Sequence, residues 1–404
     1  MRTVKADAIV VGSGPSGAAA AKRLTDAGYE AVILERLALP RHKPCSGIVS
    51  PRGHRFLIEN FGPLPDETMH APQYCRGVIF HFPAAPSLPM EFDGGPTPHL
   101  YRKFCDNWMA RRSGAAIHAG TEFTGLTDDG KKVTVSAKRN GEELRYEARC
   151  VIGADGPRMA VVKALYPGYA QSIPWFVVGQ KFHEIKSCPL DQDYFHFWFH
   201  PELGHYTWSH ARDGRQIVGV GFKSGDAFDP RHERVTSYLR DRHGVELGPG
   251  EDTEIVTANF GPSLINRYVF GKGNALVTGQ AAGFFNMIAE GMSCALHSGA
   301  IAGEAAAESF RRGADIQSLY RSMIQSEVRR CSDQWNPLKI VYGRPHEADF
   351  RGALKKKTPA ERRAIVRDIF SFLRLYAPLG WGWQMLRQAL SRAVTGRYSP
   401  SRWL

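Results

Sequence analysis

Gly12-Ser-Gly14-Pro-Ser-Gly17 constrains this chain more than any other stretch, because of what flanks it. Before it lies Ala8-Ile-Val-Val11, a β-branched run of the kind a buried parallel strand needs. After it come Ala18-Ala-Ala-Ala-Lys-Arg-Leu24, a good helix former, and then a second strand-like run, Ala31-Val-Ile-Leu34, ending at Glu35. Strand, glycine turn, helix and strand in that order make a βαβ unit with a dinucleotide fingerprint. Gly12 permits the tight turn, Gly14 lets the backbone approach a pyrophosphate, and Gly17 lets helix and strand pack closely. The helix N-terminus offers unpaired N–H groups to the phosphates, and Glu35, with Arg36 beside it, takes a ribose hydroxyl.

The fingerprint alone does not separate NAD from FAD; two later segments do. Cys150-Val-Ile-Gly153-Ala154-Asp155-Gly156 is a strand ending in a Gly-Ala-Asp-Gly turn. Asn274-Ala-Leu-Val-Thr-Gly279-Gln280-Ala281-Ala282-Gly283 is a strand and a small-residue turn, followed by Glu290-Gly291-Met292 and a helix with Ala295, Gly299 and Ala302 on it. Together the three segments resemble the three FAD motifs of the p-hydroxybenzoate hydroxylase superfamily, in that family's order. Arg102-Lys-Phe-Cys-Asp106 is similar to the Arg-x-x-x-Asp stretch that reaches the cofactor from a helix there. The resemblance implies FAD, held by Gly12, Gly14, Gly17, Glu35, Arg36, Arg102, Asp155, Gly156, Gly279, Gln280, Gly283 and Gly291. Gln280 stands where the third motif has Asp; its amide oxygen can still accept from a ribitol hydroxyl, without the charge.

His42-Lys43-Pro44-Cys45-Ser46-Gly47-Ile48-Val-Ser50-Pro51 resembles the Lys-x-Cys-Gly-Gly-Gly-Ile-Ser-Pro loop of geranylgeranyl reductases, flavoenzymes that hydrogenate isoprenoid double bonds. Tyr206-Thr-Trp208 is similar to that family's Tyr-x-Trp-x-Phe-Pro substrate-channel motif, but after Ser209 the Phe-Pro pair is replaced, with His210 and then Ala211 in its place. On the residues alone, such a reduction needs a hydride from flavin N5 on one carbon and a proton on the other. Cys45 is the candidate catalytic residue: it can donate that proton, shape the pocket, or be a small buried hydrophobe. Phe197 is a candidate for the substrate pocket because the run from Tyr194 to His200 alternates like a strand facing an apolar cavity, a pattern that core packing also produces; Tyr206, Trp208 and His210 are candidates because the resemblance to the channel motif implies it. Gly219-Val-Gly221 is not a second nucleotide fingerprint, because no helix former follows it, so the electron donor either binds transiently, as NAD(P)H would, or is something other than a nicotinamide.

Composition closes off other classes. At 43% hydrophobic and 23% charged residues the chain is globular, and no apolar run approaches the ~18 residues of a membrane span. Seven scattered cysteines make no disulfide framework, and no Cys-x-x-Cys or Cys/His cluster points to a metal. No signal-peptide core follows Met1, so a cytoplasmic protein is expected. The net charge of +12 lies wholly in residues 311–404, which hold 19 Lys+Arg against 7 Asp+Glu; the rest balances. A capping box at Thr358-Pro359-Ala-Glu361 opens an arginine-flanked amphipathic stretch, and Trp381-Gly-Trp383 opens another. Such elements suit a membrane surface as well as a docked helix, while no recognition motif points to nucleic acid.

The expected architecture is α/β: a Rossmann-type FAD-binding domain, an inserted antiparallel-sheet substrate domain and a C-terminal helical region. FAD-binding segments are expected at 1–75, 99–160 and 266–312, substrate-domain segments at 76–98 and 161–265, and the basic helical region at 313–404. The leading function is FAD-dependent reduction of carbon–carbon double bonds in an apolar isoprenoid or lipid-like substrate. The alternative is a monooxygenase that hydroxylates an aromatic or other organic substrate through a C4a-hydroperoxyflavin. A third is a flavoprotein that serves the maturation of a partner protein through its basic tail.

Overall fold

The computed structural model describes residues 3–81, 87–198, 200, 203, 206–258, 261–286, 289–342 and 358–360. The amphipathic stretches from Glu361 onward, which carry the expectation of membrane contact, lie outside the described residues. Among those described, no helix is long and apolar enough to cross a membrane.

The first sheet grows from the βαβ unit. Strand β1 (Ala8–Val11), helix α1 (Pro15–Asp26) and strand β2 (Ala31–Glu35) form as the residue pattern predicts, with both strands wholly buried. Strand β4 (Cys150–Gly153) pairs in parallel with β1, Val151 opposite Ile9, and Ala275–Val277 extends the sheet beyond it. Ala116–Ala119 pairs in parallel with β2 on the other side. The four inner strands, covered on both faces, read as unbroken apolar runs, whereas Ala116–Ala119 at the edge is partly exposed and carries His118.

Helix α4 (Met292–Arg312) lies along α1. A Cβ on its Gly299 would collide with the Ser16 carbonyl, and one on its Gly303 with the Ala20 carbonyl. Two glycines one helical turn apart let the two backbones touch, which brings the start of α4 close to the glycine turn. Helix α5 (Gln325–Tyr342) packs against α4 and places Cys331 Sγ 3.7 Å from Cys294 Sγ. Glu327 lies with them, the three ligand atoms within 4.8 Å of one another, a grouping that no local sequence motif signals because two helices supply it. The Glu327 carboxylate already takes both arms of Arg52, at 3.0 and 2.6 Å.

A second sheet of seven strands carries the middle of the chain, in the order 246–258, 176–187, 215–223, 206–212, 194–198, 77–81, 88–91. Its pairings are antiparallel except one: Tyr194–Trp198 runs parallel to Gly77–His81, because the two arrive from separate stretches of chain rather than from a hairpin. Two of its strands matter for the site: β5 (Tyr206–Arg212) and β6 (Glu246–Ala258). A small two-stranded sheet pairs Met69–Cys75 with β3 (Thr97–Leu100), and β3 leads into helix α3 (Arg102–Arg112). The segment between β2 and helix α2 (Pro51–Phe61) crosses between the two large sheets and carries Cys45.

Candidate active site

A cavity of about 460 Å³ runs from the glycine turn to the seven-stranded sheet. At one end Gly12, Gly14, Pro15, Glu35 and Arg36 line it; at the other stand Phe195, Phe197 and Trp208. Gly12 has φ +106, and a Cβ there would lie 2.5 Å from the Ala154 carbonyl oxygen, so only glycine lets the turn pass. Helix α1 starts at Gly14 with Pro15 in its first turn and no side chain capping it, which leaves its leading N–H groups for an anion.

Glu35 ends β2 with its carboxylate 2.7 Å from Ser13 Oγ, 3.0 Å from the Leu37 N–H and 3.0 Å from Arg41 Nε. Burial alone would raise its pKa; the Arg41 charge and the Ser13 and Leu37 donors outweigh burial and hold it below the usual range. Arg41 also reaches Asp106 at 3.2 Å, and Arg102 grips Asp106 at 2.7 and 3.0 Å from one turn earlier on α3. Asp106 is buried, which opposes its charge, but Arg102 and Arg41 outweigh burial and hold its carboxyl below the ordinary value. The third Arg102 nitrogen, Nη1, lies 3.7 Å from Cys45 Sγ, and that sulfur also receives the Gly47 N–H at 3.4 Å. Lys43, two residues from Cys45, lines the cavity too; burial first and the Arg102 charge second bring its pKa down to about 8.

Asp155 follows β4. One carboxylate oxygen accepts the Ala160 N–H, while the other, Oδ1, is buried without a partner, and burial pushes the group up to about 6. Gln280 lines the cavity from the opposite side and donates its amide to the Thr257 carbonyl on β6 at 3.1 Å, leaving the amide oxygen to accept. Glu290, fully buried, caps the start of α4: its two oxygens take the Ser293 N–H at 2.8 Å and the Ser293 hydroxyl at 2.5 Å. Burial raises its pKa against those donors.

The sequence-predicted residues divide plainly. Cys45, Gly12, Gly14, Glu35, Arg36, Arg102, Asp155, Gly156, Gln280, Gly291, Phe197 and Trp208 line one cavity. Gly17, Gly279 and Gly283 do not; they are packing positions under it, Gly17 against the Gly12 carbonyl and Gly279 against Ser16. Tyr206 begins β5, and its side chain lies outside the described residues. His210 does not line the cavity: it is buried, stacked on Phe195 of the neighbouring strand with ring centroids 4.9 Å apart, with Nε2 on the Ser46 carbonyl at 3.1 Å. Arg41, His99 and Arg212 were missed: Arg41 comes from a loop and His99 from a strand with no motif, and Arg212 stands at the end of β5 beyond the Tyr-x-Trp segment.

The residues present fit a dinucleotide with a flavin end. A glycine turn that a Cβ would fill, an uncapped helix N-terminus and an orphaned carboxylate oxygen at Asp155 lie along one elongated cavity. A family model described as FAD binding domain matches residues 5–295. Digeranylgeranylglycerophospholipid reductase 1 of Methanopyrus kandleri is 28% identical over 342 residues, covering 81% of this chain and 85% of that protein. Protein CbrA of Escherichia coli O9:H4 is 27% identical over 310 residues, 73% of this chain and 80% of that one. Among solved structures, a geranylgeranyl bacteriochlorophyll reductase-like protein from Thermoplasma acidophilum superposes with a TM-score of 0.72 at 19% identity. That match spans 91% of this chain and 96% of the other.

Proposed function

We propose, from the premise that the chain belongs to the FAD binding domain family, that it reduces carbon–carbon double bonds of an apolar isoprenoid or lipid-like substrate. It is an FAD-dependent oxidoreductase. The observation that carries the finer reading is the placement of Cys45: its loop lines the same cavity as the FAD cradle and an aromatic wall of Phe195, Phe197 and Trp208. The Methanopyrus kandleri relative, named as a digeranylgeranylglycerophospholipid reductase, supports a lipid with isoprenoid chains as the substrate class.

FAD, when bound here, would supply the hydride that one carbon of the double bond needs. The protein's part begins with holding the cofactor: the N-terminus of α1 would take the pyrophosphate, Glu35 the ribose, and Gln280 a ribitol hydroxyl through its amide oxygen. The aromatic wall packs the apolar chain and excludes water. Cys45 Sγ hands its proton to the second carbon, with Arg102 Nη1 beside it to favour the thiolate left behind. Lys43, with a pKa of about 8, is a proton source matched to neutral pH that restores the thiol. The electron donor is a transient one such as NAD(P)H. The division into FAD-binding segments 1–75, 99–160 and 266–312 and substrate segments 76–98 and 161–265 belongs to the same reading, supported by the parallel sheet and the seven-stranded sheet.

The test is an anaerobic half-reaction. FAD photoreduced on the full chain should be reoxidised when geranylgeranyl glycerophospholipid is added. Absence of anaerobic reoxidation, with substrate-dependent oxygen uptake in the presence of NAD(P)H, would overturn reduction in favour of monooxygenation.

A further inference from the structure

The loop that carries Cys45 shows its backbone oxygens to three buried donors, and none of them belongs to the FAD motifs. His99 Nε2 lies 2.8 Å and His210 Nε2 3.1 Å from the Ser46 carbonyl oxygen. Arg212 donates Nη1 to the neighbouring Cys45 carbonyl at 2.8 Å. The three side chains come from two strands, His99 from β3 and the others from β5, and are 2, 3 and 7% exposed. Burying polar groups to this degree costs free energy unless each finds a partner, and two successive carbonyls of one loop are the partners. A carbonyl oxygen has two lone pairs, so it can accept from both imidazoles at once.

Strand alternation explains the convergence. Trp208, His210 and Arg212 share one face of β5, so the face that walls the cavity at Trp208 meets the Cys45 loop two and four residues later. His99 enters from the opposite side: its ring stands edge-on to His210 with centroids 5.2 Å apart, and its strand bridges to the loop at Ile48. The Leu100 N–H donates to the Gly47 carbonyl at 2.7 Å, and Gly47, at φ +87, would drive a Cβ to 2.6 Å from the Leu100 oxygen. Arg212 is pinned in turn, its guanidinium 4.4 Å from the centre of the Phe182 ring.

We propose that His99, His210 and Arg212 form a clasp on the Cys45 and Ser46 carbonyls, and that they are positioning residues which fix the Cys45 thiol against Arg102 in the cavity. This rests on the reading of Cys45 above and deepens it. Counted from Tyr206, His210 stands where the geranylgeranyl reductase motif has Phe, and Ala211 where it has Pro. A phenylalanine at 210 has no side-chain hydrogen-bond donor, so the His210 arm of the clasp comes from that replacement. Ser209 points the other way, its hydroxyl donating to the Ile217 carbonyl at 2.9 Å and receiving the Gln216 amide at 2.6 Å. The exchange therefore moves position 210 out of channel lining and into loop support. A neutral imidazole has one N–H, and here it is spent at Nε2, so each Nδ1 is an acceptor. Burial first, then the charges of His70 and Arg212 among others, keeps His99 down at about 4; His210 lies well below its usual value, through burial, His99 and Arg212. Both rings stay neutral at working pH, and the clasp does not open by titration there.

The experiment reads Cys45 itself. The FAD-loaded full chain is treated with iodoacetamide, and alkylation at Cys45 is timed by peptide mass spectrometry. His210→Phe removes a donor and should speed alkylation roughly three- to tenfold, the range one net hydrogen bond covers. His210→Asn, milder for folding but a bond too short to reach, should do the same. His210→Gln sets its amide nitrogen where the imidazole Nε2 stands and should stay within about twofold of the parent. Anaerobic flavin reoxidation should fall in His210→Phe and recover in His210→Gln at unchanged FAD affinity. Equal alkylation in the parent, His210→Phe, His210→Asn and His99→Leu would overturn the clasp, as would His210→Gln behaving like His210→Phe. If alkylation follows the expected order while Cys45→Ala reoxidises at the parent rate, the clasp stands and the proton-donor reading of Cys45 falls.

Discussion

Lowering the pH from 7 to 5 should strip the folded protein of much of its stability, and the structure says by how much. His70, His81, His99 and His232 are each less than 9% exposed. Burial, the leading cause for each, lowers them to about 4, 3, 4 and 4; the next causes are Arg212 for His70, His196 for His81, His70 for His99 and His183 for His232. A base whose pKa is depressed on folding binds protons more tightly when unfolded, so acid favours unfolding as pH falls through the unfolded value near 6.5. Between pH 7 and 5 each such histidine costs about 1.8 kcal/mol, on the order of 7 kcal/mol for the four. Asp155, raised to about 6, works the other way and returns about 1 kcal/mol. The loss is comparable with a typical total of roughly 5–15 kcal/mol. Urea unfolding of the FAD-loaded chain across this range should show at least about three protons taken up on unfolding near pH 5, with His210, also held well below its usual value, adding to the four. A free energy of unfolding equal within about 1 kcal/mol at pH 7 and 5 would refute the reasoning, because it would require the four rings to be protonated in the fold.

Three substitutions probe the site. Gly12→Ala puts a Cβ 2.5 Å from the Ala154 carbonyl at φ +106, strain of about 1–3 kcal/mol at the phosphate turn, and should weaken FAD binding at least about tenfold in a fluorescence titration. Gln280→Asp sets a carboxylate against the Thr257 carbonyl that the amide now serves, and should lower the melting temperature of the FAD-loaded protein through the loss of about 1–2 kcal/mol. Cys45→Ala should bind FAD as the parent does and slow anaerobic flavin reoxidation about a hundredfold, the scale of a lost general acid.

The parts of the site that are contiguous in the chain were legible in the sequence. Ala8 to Glu35 is one βαβ unit whose strands, turn and helix each carry a local signal, and the structure forms all of them. Asp155 and Gln280 sit at strand ends, where small-residue turns mark them. Arg41 was not legible, because its partners Glu35 and Asp106 come from a strand and a distant helix and the loop between has no period. His210 was expected to face the substrate, and alternation did put it on the Trp208 face of β5; there it stacks on Phe195 of the neighbouring strand and turns Nε2 to the Ser46 carbonyl instead of lining the cavity, a fact of sheet packing that no single strand encodes. The grouping of Cys294, Glu327 and Cys331 needs two packed helices to exist at all.

Central to the account is that electrons on the flavin end on a carbon–carbon double bond. Its most direct test is the mass of the product when photoreduced, FAD-loaded protein is given geranylgeranyl glycerophospholipid without oxygen. The account predicts a lipid heavier by two hydrogens for each flavin reoxidised, and no added oxygen. An unchanged lipid without oxygen, together with a lipid heavier by one oxygen atom in air with NAD(P)H, would contradict it.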